Sequence, residues 1–196
     1  YLNIKKEVNI FLKKLMNKIK EKKIDAEMFV GGSFAKNTVI KKDHYDIDIF
    51  LRFDKKYKNE ELSGLAAKVL VGIKNSRVHG SRDYFRIKID ETTYIELVPV
   101  KKIKNQKDAE NITDLTYSHV NYINKKSKSE KIKDDIRIAK AFCFANGVYG
   151  AESYVNGFSG YALELLICYY GSFLNFVKAM TKVSDKLIID IEKDYK

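Results

Sequence analysis

The sequence predicts an α+β protein in two parts, a mixed half of strands and helices followed by a mainly helical half. Segments of alternating polarity recur up to about residue 100, a polar stretch over 101–110 breaks the pattern, and capped segments of helical period follow. The expected division is 1–108 and 109–196.

Residues 2–22 predict an amphipathic helix, because Ile4, Val8, Phe11, Leu15 and Ile19 recur at spacings of three and four among lysines. Ala26–Val30 predicts a short strand that ends at Gly31-Gly32, with a short helix after Ser33. Tyr45–Phe53 alternates, placing Ile47, Ile49 and Leu51 on one face and Asp46, Asp48 and Phe50 on the other. Glu60–Lys74 predicts a helix, and Tyr84–Ile89 and Tyr94–Val100 predict strands. Pro99, the only proline, suits an edge position or a strand's end. In the second half Ser129 caps a helix that runs through Phe144 and stops at Gly147. Further helices are expected over Tyr161–Tyr170, ending at Gly171, and over Phe173–Lys182.

Composition bounds the rest. Of 196 residues about 45% are apolar, enough for a packed core. Lys plus Arg is 37 against 26 Asp plus Glu, a formal net charge of +11, so a polyanion such as RNA is the expected partner. Cys143 and Cys168 sit among apolar residues, as buried free thiols do, and form no disulfide framework or zinc motif. No apolar run reaches the roughly 18–20 residues that span a bilayer. No signal-peptide pattern opens these residues, so a reducing, cytoplasmic setting without a membrane is expected. Tyr1 in first place and the charged run ending at Lys196 are the ends expected of part of a longer chain.

Three elements carry chemistry. Gly31-Gly32-Ser33, between a strand and a short helix, lets backbone amides and the Ser33 hydroxyl approach a phosphate, although such a turn is ordinary by itself. Asp46 and Asp48, two apart on a strand, project on one face as close like charges, a costly pairing unless a cation lies between them. Mg²⁺ prefers such oxygen ligands. Glu96 is a lone carboxylate on an otherwise apolar strand, which calls for a metal or a basic partner. Together the three fit a two-metal site for an in-line displacement.

In this order these residues resemble the polymerase-β-like nucleotidyltransferase superfamily. The helical half narrows the resemblance. Phe142 to Glu152, Gly157 to Tyr161, Glu164-Leu165-Leu166 and Tyr170 to Phe173 are similar to segments of class I, archaeal-type CCA-adding enzymes. The similarity runs from about Phe29 to Ala179. It implies a nucleotidyltransferase palm over 1–108 and a nucleotide-binding helical domain over 109–196. It also implies Asp46, Asp48 and Glu96 as catalytic, metal-binding acids, and Gly32, Ser33 and Lys36 as a phosphate grip. His119, Lys140 and Tyr149 would contact the incoming nucleotide, mainly its triphosphate. The implied reaction is template-independent and Mg²⁺-dependent, transferring CMP and AMP from CTP and ATP to the tRNA 3′ acceptor end. Two departures stand out: Glu96 replaces the family's usual Asp, and Asn156 stands where a basic residue is common. Family members also continue past the equivalent of Asp190 with a base-selecting segment and domains that grip the acceptor stem. Two alternatives share these residues. One is another nucleotidyltransferase of this fold, oligoadenylate synthetase-like or a small tRNA- or protein-modifying enzyme; the other is a catalytically silent RNA-binding module.

Overall fold

The computed structural model describes residues 2–193. They divide into two compact units: the first runs to Ala35 and resumes over Lys42–Val120, and the second holds Lys36–Lys41 and the chain from Asn121 onward.

In the first unit, helix α1 (Leu2–Glu21) precedes β1 (Ala26–Val30), the single-turn helix α2 (Gly32–Ala35) and β2 (Tyr45–Phe53). Helix α3 (Leu62–Val69), strands β3 (Ser76–Val78), β4 (Tyr84–Lys88) and β5 (Thr93–Lys101), and helix α4 (Thr116–Lys126) follow, α4 crossing into the second unit. The sheet order is β1-β2-β5-β4-β3; β2 and β5 are parallel and the other neighbours antiparallel. The apolar stripe of α1 (Val8, Phe11, Leu15, Ile19) joins Leu62, Ala66 and Val69 of α3 and one face of the sheet (Ile47, Ile49, Leu51, Ile95, Leu97) in one core. Burying one such side chain contributes about 1.5–3 kcal/mol.

The alternation of β2 changes along its length. Asp46 is exposed and Asp48 half-buried, but farther on Phe50 and Arg52 are buried as well as Leu51 and Phe53. Phe50 stacks on Phe29 with centroids 4.9 Å apart, and the Arg52 guanidinium lies 4.0 Å from the Tyr117 ring while bonding Glu27 at 2.7 Å. Thus one end of this face is sealed and the other, bearing the acids, is open.

Helix α3 stops short of the expected Lys74: its cap is Leu70, and Gly72 takes a positive φ of 76°. The short β3 has no counterpart among the expected strands, because three residues carry too little pattern to read. Pro99 belongs to β5, a central strand, and is tolerated because the β4 ladder ends at Leu97. The unit division at Val120 lies beyond 108, and one buried network accounts for it. Arg82 donates to Asp114 (2.5 Å) and to the Pro99 carbonyl (3.2 Å), while Asp114 accepts from the Lys101 and Asn111 amides (2.8 and 3.0 Å). Residues 111–115 are thereby fastened to the end of β5.

The second unit contains α5 (Glu130–Ala145), α6 (Gly160–Tyr170) and α7 (Phe173–Met180), packed around Ile136, Ala139, Ile167 and Phe176. Ser129, Ser159 and Ser172 cap them with side-chain acceptors for the Ile132, Ala162 and Asn175 amides. Gly171 ends α6 in the left-handed conformation, as the sequence predicts. Among the described residues no helix is long and apolar enough to cross a membrane.

Candidate active site

The open end of the sheet gathers the predicted acids. In the parallel β2–β5 ladder Asp46 pairs with Tyr94 and Asp48 with Glu96; on the other side Glu96 pairs with Arg86 of β4. Three carboxylates and one guanidinium therefore share one face of three adjacent strands. Arg86 donates from Nη2 to Asp46 Oδ1 at 2.8 Å, keeps Nε 3.9 Å from Glu96 Oε1, and stacks over Tyr94 at 4.2 Å. Burial raises the Glu96 carboxyl to about 7, and repulsion from Asp48 and Asp46 adds to it, while Arg86 pulls the other way. Burial first, and repulsion from the neighbouring acids second, thus favour a proton or another cation among them.

Gly32 shapes the opposite border. It takes φ +58°, and a Cβ built there would stand 1.7 Å from Asp48 Oδ2. Its missing side chain is what lets the Asp48 carboxylate lie against the loop. The Gly31 amide donates to the Asp48 carbonyl at 2.8 Å, and Ser33 follows in α2. His119 also falls in this unit, half-buried on α4.

Among the described residues no three His, Cys, Asp or Glu side chains converge into a ready metal site. The chemistry of the donors fits a hard divalent cation nevertheless: three carboxylates on one face, mutually destabilised, with Arg86 supplying positive charge.

The second unit holds Lys36, Lys140 and Tyr149. Neither lysine is a surface charge. Lys36 donates to Glu164 Oε2 at 2.5 Å, and Lys140 to Glu164 Oε1 at 2.6 Å and to Thr38 Oγ1 at 2.9 Å. All four side chains are buried. Gly160 faces this cluster, since a Cβ there would lie 2.8 Å from the Tyr149 hydroxyl and 3.8 Å from Lys140 Cε. The loop before it is closed by an isolated bridge between Tyr149 and Phe158, and Asn156 adopts a left-handed φ of 51°, which Asn tolerates better than most residues.

Arg86 is absent from the residues the sequence singles out, and Glu164 enters there only within a segment that carries the family resemblance, with no role of its own. The signal for Glu164 is nonetheless present: a single acid inside the apolar run Tyr161–Tyr170, the argument that singles out Glu96. Arg86 occupies an alternating position of its strand, but its pairing with the acids follows only from the β4–β5 register.

A model of the tRNA nucleotidyltransferase second domain matches residues 134–196. The CCA-adding enzyme of Nanoarchaeum equitans is 40% identical over 171 residues, covering 86% of this chain and 42% of that protein. That of Archaeoglobus fulgidus is 32% identical over 171 residues, covering 87% and 38%. The chain spans about two-fifths of the length of these curated relatives. Among solved structures, the CdnE cyclic dinucleotide synthase of Elizabethkingia meningoseptica superposes with a TM-score of 0.63 at 15% identity, covering 87% of this chain and 73% of that one. That likeness concerns the α+β, polymerase-β-like fold alone. A model of the nucleotidyltransferase domain matches residues 12–143, more than half of the sequence, and the chain belongs to that family.

Proposed function

We propose that this chain is the catalytic part of a CCA-adding tRNA nucleotidyltransferase, which extends the tRNA 3′ end with CMP and AMP from CTP and ATP. The observation that carries the reading is the row Asp46, Asp48 and Glu96 on one open sheet face beside Gly32-Ser33, in a chain 32–40% identical to archaeal CCA-adding enzymes.

In the proposed reaction the acceptor 3′ hydroxyl gives up its proton to water, its oxygen forms a bond to the α-phosphorus, and the bond from that phosphorus to the bridging oxygen of the β-phosphate breaks, releasing pyrophosphate. Asp46, Asp48 and Glu96 would hold Mg²⁺, which when bound stabilises the negative charge that develops on the transferred phosphoryl group. The Gly32-Ser33 turn offers amides and a hydroxyl to the leaving phosphates. Lys36, Lys140, Tyr149 and His119 are the further nucleotide contacts in this reading. For the two lysines, contact requires a phosphate oxygen to share or replace the Glu164 carboxylate that now holds them.

The test is incubation of the chain with a tRNA lacking its terminal nucleotides and Mg²⁺, with CTP alone, ATP alone and the two together, followed by sequencing of the products. Ordered addition of C, C and A is expected. Long runs of A would favour an adenylating relative, and no incorporation by the folded chain would overturn the reading. Asp48→Asn should lower the rate by at least about a thousandfold, since the acid's share of the transition state is worth several kcal/mol. Near-normal turnover would remove Asp48 from the site.

A further inference from the structure

Two ammonium groups share one carboxylate in the second unit. Glu164 Oε2 accepts from Lys36 at 2.5 Å, and Oε1 accepts from Lys140 at 2.6 Å and from the Thr38 hydroxyl at 2.9 Å. The same hydroxyl accepts from Lys140 at 2.9 Å, so the four side chains close one network. Stability alone does not call for this arrangement. A buried ion pair gains little over well-packed apolar side chains, and a second buried cation on the same carboxylate adds a further desolvation cost. Local rules of this kind are broken mainly at functional sites.

Lys36 indicates the use. An ammonium carries three donors, and Glu164 is the one hydrogen-bond partner of Lys36 among the described residues, with the Tyr161 ring 6.0 Å away. At 7% exposure its remaining N–H groups have little access to bulk water. Buried donors call for acceptors, and an oxyanion supplies several at once.

The chain itself points to the anion. Lys36 directly follows α2, which carries Ser33, so the turn that offers amides and a hydroxyl to phosphates leads straight into the network. Thr38, just beyond, is fastened to the same carboxylate. Gly160, at the start of α6, leaves room for the Tyr149 hydroxyl on the Lys140 side. We infer that Glu164 is a positioning residue for the polyphosphate of the incoming nucleotide. It touches no substrate. It holds Lys36 and Lys140, and through Lys36 and Thr38 the chain that leaves α2, where phosphate oxygens meet them. The carboxylate stays in place, and a phosphate oxygen shares Lys36 through its remaining donors. The inference rests on the transferase reading, which gives the two lysines to the triphosphate, and adds to it Glu164 and Thr38, the residues that aim them.

The test is binding without turnover. Affinities for ATP and for inorganic tripolyphosphate are measured by calorimetry in Mg²⁺ with no RNA present. Glu164→Gln endangers the fold, so two milder variants carry the test. Glu164→Asp keeps the charge but draws the carboxylate back by a methylene, and Thr38→Val keeps the shape but removes the hydroxyl. Each should bind both ligands about tenfold more weakly, the size of one charge-assisted hydrogen bond. Thr38→Ser keeps the hydroxyl and should bind both as the parental chain does. Urea unfolding is followed alongside. A network that only stabilises the fold would lower the unfolding midpoint and leave both affinities unchanged, and that result would overturn the inference. A loss confined to ATP, which carries a base and sugar that tripolyphosphate lacks, would overturn it too, as would an equal loss in Thr38→Ser. The transferase reading fails differently. Unchanged affinities in the variants leave it intact, whereas a chain that binds polyphosphate as expected here but never extends RNA would sink that reading and leave the network as a polyphosphate site.

Discussion

At Gly32 one hydrogen in place of a methyl group decides whether Asp48 can stand where it does. A Cβ at 1.7 Å from Asp48 Oδ2, on a backbone at φ +58°, meets both a clash and an unfavourable conformation. Gly32→Ala should therefore impair nucleotide transfer through displacement of Asp48 and cost about 1–3 kcal/mol of stability, measured by urea unfolding. Activity and stability both at the parental level would show that the loop moves freely. Cys168 offers a pH-dependent test elsewhere. Burial, with help from nearby Glu164, raises its thiol to about 11 against an ordinary 9.0, Lys126 opposing. The folded state thus prefers the neutral thiol. The stability that goes with the neutral thiol is fully present below pH 9 and is lost as pH rises from 9 towards 11, because only the unfolded thiol ionises in that range. At pH 8 only about one part in a thousand would be thiolate, so alkylation by iodoacetamide should be slow in the native protein and fast after denaturation. Equal rates in the two states would refute the burial argument.

Among the elements, helix α6 separates what local sequence encodes from what it does not. Its cap at Ser159, its span and its stop at Gly171 all follow from residue type. Its role does not, because its one acid meets Lys36 from 128 residues earlier and Lys140 from 24 residues earlier. The same division holds for the sheet. Alternation foretells β2, β4 and β5 and the shared face of Asp46 and Asp48, whereas the proximity of Glu96 and Arg86 needs the strand order, which no local pattern encodes. Likewise Lys140, which the resemblance implies as a nucleotide contact, lies on a helix that local sequence predicts, yet its burial at 2% exposure follows only from the packing of α5 on α6. Glu164→Gln should destabilise the second unit by about 3–5 kcal/mol, because it leaves buried ammonium groups short of their carboxylate. Thermal unfolding would measure this; a change under about 1 kcal/mol would mean that water reaches the cluster.

For the molecule as a whole, the second unit cannot be cut out as one stretch of chain. Its charged cluster draws Lys36 and Thr38 from the segment Lys36–Lys41, which lies between two pieces of the sheet unit. A fragment of residues 121–196 retains Lys140 and Glu164 but lacks the Lys36 ion pair and the Thr38 hydroxyl. It should show helical circular dichroism without a cooperative thermal transition. Sharp unfolding of that fragment would show that the segment is dispensable.

The Lys36–Lys41 excursion also bears on how the protein is made. A ribosome delivers Lys36 long before it delivers Glu164, and at roughly 5–20 residues per second the interval between them is several seconds or more. The residues that flank the excursion, through Ala35 and from Lys42, belong to the sheet unit and have their partners available earlier. Lysine and threonine must therefore wait in water, already tethered at both ends, until the last helices emerge. A short tether restricts that search, and loop closure costs less when the ends are already held. The nascent chain meets its final assembly step with the bait of the buried cluster already in place.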